Sequence, residues 1–128
     1  MPKKILIIDD DIDLVEAMRL TLESAGFEVI DAQEGQRGID KIRSEKPDLI
    51  LLDVMMGTQD EGFHIAYQIR SEDEMADLPI VMLTAVGQET GFSFDKEKDE
   101  DFLPVNEFLE KPINPDTLIE VVKTNLGT

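Results

Sequence analysis

The sequence has no cysteine and no tryptophan, and only one histidine and one tyrosine. Without cysteine there is neither a disulfide framework nor a thiolate metal site, and a reducing compartment fits. His64 falls on a predicted helix and reads as a surface or boundary residue rather than a ligand. Long apolar runs are missing too. Met-Pro-Lys-Lys is followed by only a short aliphatic run, Ile5 to Ile8, before three aspartates. That run is too short for a signal-peptide core, and no stretch is long enough to span a bilayer. The expectation is a cytoplasmic protein with no membrane insertion. Positive charge is scarce as well, with 12 Lys and Arg against 29 Asp and Glu, a formal net charge of −17. Such a field repels nucleic-acid phosphates and anionic lipids, so no direct nucleic-acid partner is expected. Most of these acids simply keep the chain soluble. Acids that cluster must be relieved by a cation or a lysine.

The 128 residues, 41% of them hydrophobic, suffice for one domain with a real core and leave no room for a second. There is no internal repeat and no linker. The organising stretch is Asp48 to Met56, D-L-I-L-L-D-V-M-M, in which Leu49 to Leu52 run straight into Asp53. A continuous apolar run of this length reads as a central strand buried on both faces. Lys3–Asp9, Phe27–Asp31, Pro79–Leu83 and Glu107–Glu110 read as four further strands. Helices are predicted over Ile12–Ala25, capped by Asp11 or a neighbouring aspartate and stopped by Gly26, and over Gln36–Glu45 and Phe63–Glu72. A last helix is capped by Asn114, with Pro115 first and Gly127 closing it. The first helix carries Ile12, Val15, Met18, Leu22 and Ala25 at helical spacing. Strands alternating with helices imply parallel pairing through right-handed crossovers. Two segments break the rhythm: the polar loop Gly57–Gly62, and Gly87–Asn106, whose glycines, proline and charged run offer no helical stripe. The second is expected to be a partly ordered loop, of a length that is often functional.

In a parallel sheet the residues closing successive strands share one edge, where open α/β sheets bind ligands. Here that edge collects Asp9 and Asp10, Asp53, Thr84 and Lys111. Three carboxylates this close repel, so either some are protonated or a hard cation sits among them. Aspartate oxygens suit magnesium, which usually also holds a phosphate oxygen. Lys111 adds phosphate recognition and Thr84 a hydroxyl donor. These parts match phosphoryl transfer to a carboxylate, with central Asp53 as the nucleophile. Each element alone is weak, and a D-D-D triplet is more often a helix cap and solvated charge. The combined order, strand-acid, strand-acid, strand-threonine, strand-lysine-proline, is much more specific.

The residues I-L-I-I-D-D-D (5–11), P-D-L-I-L-L-D-V-M-M (47–56), P-I-V-M-L-T-A (79–85) and F-L-E-K-P (108–112) resemble a response-regulator receiver domain, the phosphoacceptor of two-component signalling. The resemblance spans nearly the whole chain, so residues 1–128 are expected to form a single receiver domain with no output domain. It implies a flavodoxin-like, doubly wound five-stranded parallel sheet in the order 2-1-3-4-5, here with an atypical loop in place of part or all of the fourth helix. It implies that Asp53 is phosphorylated by a histidine kinase or histidine phosphotransfer protein, and that an unknown downstream effector protein reads the change. Magnesium would be held by Asp10, Asp53 and the Met55 backbone carbonyl, with Asp9 acting through water. Thr84 and Lys111 would contact the phosphoryl group, with Thr84 and Phe108 as switch residues and Lys111-Pro112 cis. The domain would not be a turnover enzyme, although it would catalyse its own phosphoryl transfer and slow dephosphorylation. Two departures stand out. The M-M-G-T-Q-D-E-G-F loop lacks the family's usual proline, and the stretch between Thr84 and Lys111 is longer than usual.

Rival readings remain. A flavodoxin-type electron carrier shares the architecture and acidity, but should have a Ser/Thr/Gly-rich phosphate loop after the first strand, where aspartates would repel the flavin phosphate. An aspartyl phosphatase of the haloacid dehalogenase type usually needs a second acid two positions after the nucleophile, where this chain has Met55. A degenerate receiver would act as a phosphorylation-independent protein-binding module; intact Asp9, Asp10, Asp53, Thr84 and Lys111 speak against it.

Overall fold

The computed structural model describes residues 2–53, 61–85 and 105–127. Its elements are β1 (Lys4–Ile8), α1 (Ile12–Ser24), β2 (Glu28–Ala32), α2 (Gly35–Glu45), β3 (Leu49–Asp53), α3 (Glu61–Ser71), a 3-10 turn (Asp73–Met75), β4 (Ile80–Ala85), β5 (Glu107–Lys111) and a C-terminal helix (Pro115–Leu126). The five strands are all parallel, in the order β2-β1-β3-β4-β5. This is the doubly wound sheet that the sequence led us to expect. Met55, the loop before α3 and residues 86–104, where the fourth helix of the alternation would fall, lie outside the described residues.

The aliphatic runs account for the layering. Ile5 to Ile8 and Leu49 to Leu52 are fully buried. Alternate side chains of each strand enter opposite layers. Leu6, Ile8, Ile50, Leu52, Ile80 and Met82 pack with Ile39, Ile42, Ala66 and Ile69 of α2 and α3. Ile5, Ile7, Leu49, Leu51, Val81 and Leu83 pack with Val15, Met18 and Leu22 of α1 and with Leu118 and Val122 of the C-terminal helix. Burial on both faces makes these strands uniformly apolar, because neither side meets water.

Helix ends follow local chemistry. Asp11 caps α1 by accepting from the Leu14 amide at 3.2 Å, and Asn114 caps the C-terminal helix by accepting from Thr117 at 3.1 Å. Gly26 and Gly127 take positive φ beyond their helices. The Lys111–Pro112 peptide is cis.

Some boundaries differ from the sequence reading. β4 continues through Thr84 to Ala85, because these residues pair with Glu110 and Lys111 and extend the ladder. Glu61 and Gly62 already lie within α3. Ile12 follows the spacing of the α1 stripe yet is 56% exposed, at the first position of the helix next to its Asp11 cap. Arg70, at the end of α3, donates to the carbonyls of Ala76 (3.0 Å) and Leu78 (2.5 Å) and to the Asn106 side chain (2.7 Å). Asn106 Oδ1 also accepts from the Ile80 amide at 2.9 Å. One guanidinium therefore ties α3 to the start of β4 and to the approach to β5. Burial lowers the Arg70 pKa, against the charge of Asp77.

Gly38 marks a close helix–sheet approach. A Cβ there would meet the buried Ile8 side chain, 2.8 Å from Cγ1 and closer still to Cδ1. Gly38→Ala is therefore expected to lower stability by about 1–2 kcal/mol, the overpacking exceeding the gain in helix propensity. Urea unfolding measures this. Adding Ile8→Val, which removes the closest methyl, is expected to recover part of the loss, and a purely additive double variant would refute the clash.

Candidate functional site

β1, β3, β4 and β5 run parallel, so their carboxyl ends meet at one edge. Asp9 and Asp10 follow β1, Asp53 closes β3, Thr84 stands near the end of β4 and Lys111 closes β5. Carboxylate oxygens of Asp9, Asp10 and Asp53 lie within 4.8 Å of one another. Asp9 and Asp53 are buried at 0% and 5% exposure, whereas Asp10 faces solvent. Lys111 Nζ reaches between them, 3.3 Å from Asp9 Oδ2 and 3.3 Å from Asp53 Oδ1.

The electrostatics follow from burial. Desolvation raises the Asp9 pKa from 3.8 to about 6 and the Asp53 charge adds to it, while the Asp11 amide and Lys111 oppose the rise. Burial alone would lower the Lys111 pKa, but the charges of Asp9 and Asp53 outweigh it and hold the ammonium above its ordinary value. Asp9 Oδ1 accepts from the Asp11 amide at 2.9 Å. Asp9 Oδ2 is buried and accepts no well-directed hydrogen bond among the described residues; the Lys111 ammonium faces it at 3.3 Å as an ion pair. Among the described residues, the three carboxylates outnumber the one lysine that reaches them. A buried oxygen without a well-directed hydrogen bond, two further carboxylates and this excess of acids make a donor set that fits a hard divalent cation.

Thr84 is on the same edge, and its hydroxyl donates to the Leu109 carbonyl at 3.5 Å, across to β5. Phe108 pairs with Met82 and is half-buried against the α2–α3 layer, on the same strand as Lys111. The edge thus brings together Asp9, Asp10, Asp53 and Lys111, with Thr84 one strand across. Phe108 packs against the α2–α3 core layer, and Met55 is outside the described residues. The sequence reading missed the backbone amide of Asp11, since Asp11 was assigned only as a cap. No residue type signals a main-chain donor.

The comparisons agree with this geometry. Residues 5–123 match the response regulator receiver domain family. The chain is 39% identical over 115 residues to the alkaline phosphatase synthesis transcriptional regulatory protein PhoP of Bacillus subtilis, covering 90% of this chain and 45% of the relative. It is 36% identical over 125 residues to the phosphate regulon transcriptional regulatory protein PhoB of Pseudomonas aeruginosa, covering 97% and 52%. The chain therefore spans about half the length of these curated relatives. Among solved structures, a chain from Chloroflexus aurantiacus described as a response regulator superposes with a TM-score of 0.86 at 32% identity, with both chains fully covered. The chemotaxis protein CheY4 of Vibrio cholerae gives 0.82 at 28% identity, covering 97% of this chain and 98% of that one. No helix among the described residues is long and apolar enough to cross a membrane. Fold, acidic edge and sequence kinship converge: this chain belongs to the response regulator receiver domain family, and with it to phosphorylation-dependent signalling.

Proposed function

We propose that Asp53 accepts a phosphoryl group from a phosphohistidine of a histidine kinase or histidine phosphotransfer protein. The resulting aspartyl phosphate changes the surface that a downstream effector protein contacts. An Asp53 oxygen bonds to phosphorus, the phosphorus–nitrogen bond of the donor breaks, and the histidine nitrogen keeps the electron pair and takes up a proton. Lys111 exchanges part of its ion pairing with Asp9 and Asp53 for a phosphoryl oxygen. Thr84 turns its hydroxyl from the Leu109 carbonyl towards the same group, and Phe108 follows as the switch residue. Asp10, Asp53 and the Met55 carbonyl would hold magnesium directly, with Asp9 acting through water. When bound, the metal supplies charge neutralisation of the phosphoryl oxygens.

The observation that carries this reading is the Lys111 ammonium, 3.3 Å from both the buried Asp9 Oδ2 and Asp53 Oδ1. A lysine placed between two acids, with a third beside them, is prepared for an anion that arrives together with a cation. The direct test is intact-protein mass after incubation with acetyl phosphate, with and without magnesium, followed by peptide mapping. The expected result is one phosphoryl adduct, formed only with magnesium and located on the peptide containing Asp53. A folded protein that takes up no phosphoryl group under either condition would instead favour the phosphorylation-independent binding module.

A further inference from the structure

The third aspartate of the D-D-D run has no part in the chemistry above, yet three bonds converge on it. Its amide donates to Asp9 Oδ1 at 2.9 Å, its side chain accepts from the Leu14 amide at 3.2 Å, and its carbonyl accepts from the Val15 amide at 3.0 Å. Its backbone is extended, at φ −85° and ψ 98°, so the chain turns from loop into helix at this residue. On the other side, the Asp9 amide donates to the Ala32 carbonyl of the neighbouring strand at 3.1 Å. The segment Asp9–Asp11 is thus clamped at one end to β2 and at the other to the first turn of α1. Asp10, exposed and without a hydrogen bond among the described residues, lies between the clamps.

From this we propose that Asp11 is a positioning residue for the cation site. By capping α1 it fixes the direction of its own amide, and that amide fixes the Asp9 carboxylate and, with it, the backbone that presents Asp10. The inference rests on the magnesium reading above. The cap is a side-chain function and the contact to Asp9 a main-chain one. Removing the cap keeps the amide but releases the turn that aims it. Outer groups that orient metal ligands typically govern affinity by about tenfold to a hundredfold when removed.

The test is isothermal titration of the whole chain with magnesium chloride, comparing wild type with Asp11→Asn, Asp11→Ser and Asp11→Ala. Asparagine and serine cap as aspartate does, whereas alanine cannot. Both cap-competent variants also lose the charge of Asp11, so the contrast with alanine separates capping from electrostatics. The expected result is a magnesium dissociation constant within about threefold of wild type for Asn and Ser, and raised about tenfold or more for Ala. Protection of the residue 11 amide proton from solvent exchange, read by NMR, should fall in the Ala variant alone. Equal weakening in all three variants would mean that Asp11 acts only through charge. Unchanged affinity in Ala, even with a lower melting temperature, would mean that the cap serves only the helix. Either result overturns the proposal. If wild type itself binds no magnesium, the functional reading fails first, and that outcome is separately visible.

Discussion

Asp53→Asn is expected to abolish the phosphoryl adduct that the wild-type chain forms with acetyl phosphate and magnesium, while the fold stays intact. The amide matches the carboxylate in shape and keeps an oxygen facing Lys111, but its lone pair is delocalised onto nitrogen and it carries no charge. A nucleophile weakened in this way raises the barrier by several kcal/mol, and each ~1.4 kcal/mol is a factor of ten in rate. The adduct should therefore fall below detection in the mass spectrum. Stability should change by less than about 1 kcal/mol in a urea melt, because two effects oppose each other. The variant loses one of the two carboxylates paired with Lys111, and it relieves the repulsion that Asp53 exerts on Asp9. A variant that still gains a phosphoryl group in good yield, mapped to Asp10 or Asp11, would move the nucleophile to the first strand's acids and leave Asp53 a ligand only.

The second large effect concerns stability without metal. Asp9→Asn is expected to be more stable than wild type by about 2 kcal/mol near pH 8 in buffer containing a chelator. In the folded protein the Asp9 carboxyl titrates at about 6 because burial disfavours its charge, and the Asp53 charge adds to this. In the unfolded chain it titrates near 3.8. Between those values the unfolded chain has lost the proton while the folded one retains it, so rising pH favours unfolding. The penalty is absent below about pH 4 and complete above about pH 6. Asparagine imitates the protonated acid, keeps an oxygen for the Asp11 amide and never incurs the penalty. The difference between the two proteins should therefore vanish in urea melts at acid pH and grow through the stated window. Magnesium is expected to reverse the ordering at neutral pH, since a ligand that binds only the folded state stabilises it and the variant has lost a carboxylate. A wild type that is equal or superior to Asp9→Asn in chelator at pH 8 would show that Lys111 more than offsets the burial of Asp9.

Much of this was legible in the sequence because it depends on local, periodic signals. Leu49–Asp53 and Ile5–Ile8 announced buried parallel strands through unbroken aliphatic runs. Asn114-Pro115 and Gly127 marked both ends of the last helix. The convergence of Asp9, Asp10, Asp53, Thr84 and Lys111 followed from topology, since parallel strands end at one edge. What the sequence did not reveal depends on three-dimensional placement. Ile12 keeps the α1 spacing but is exposed at the start of the helix, and periodicity says nothing about where the core stops. The Arg70–Asn106 tie joins two side chains 36 positions apart, and the same guanidinium takes the Ala76 and Leu78 main-chain carbonyls, which no residue type signals. The raised titration of Asp9 and the lack of a well-directed hydrogen bond to its Oδ2 depend on how deep the carboxylate lies, and a string of aspartates does not encode depth.

The strand order also distributes compliance across the site. Asp9 follows β1, which pairs with β2 and β3, and Asp53 ends β3, which pairs with β1 and β4. Both acids are thus carried by strands held on two sides. Lys111 ends β5, the outer strand of the order, whose one sheet neighbour is β4. The negative half of the site is mounted on the stiff middle of the sheet and the positive half on its softer border. If Asp53 takes the phosphoryl group as proposed, an ammonium drawn from its acids would load the border strand before the strand that carries Asp53. Phe108 and Lys111 share that strand, so a displacement of its backbone would be felt at both positions.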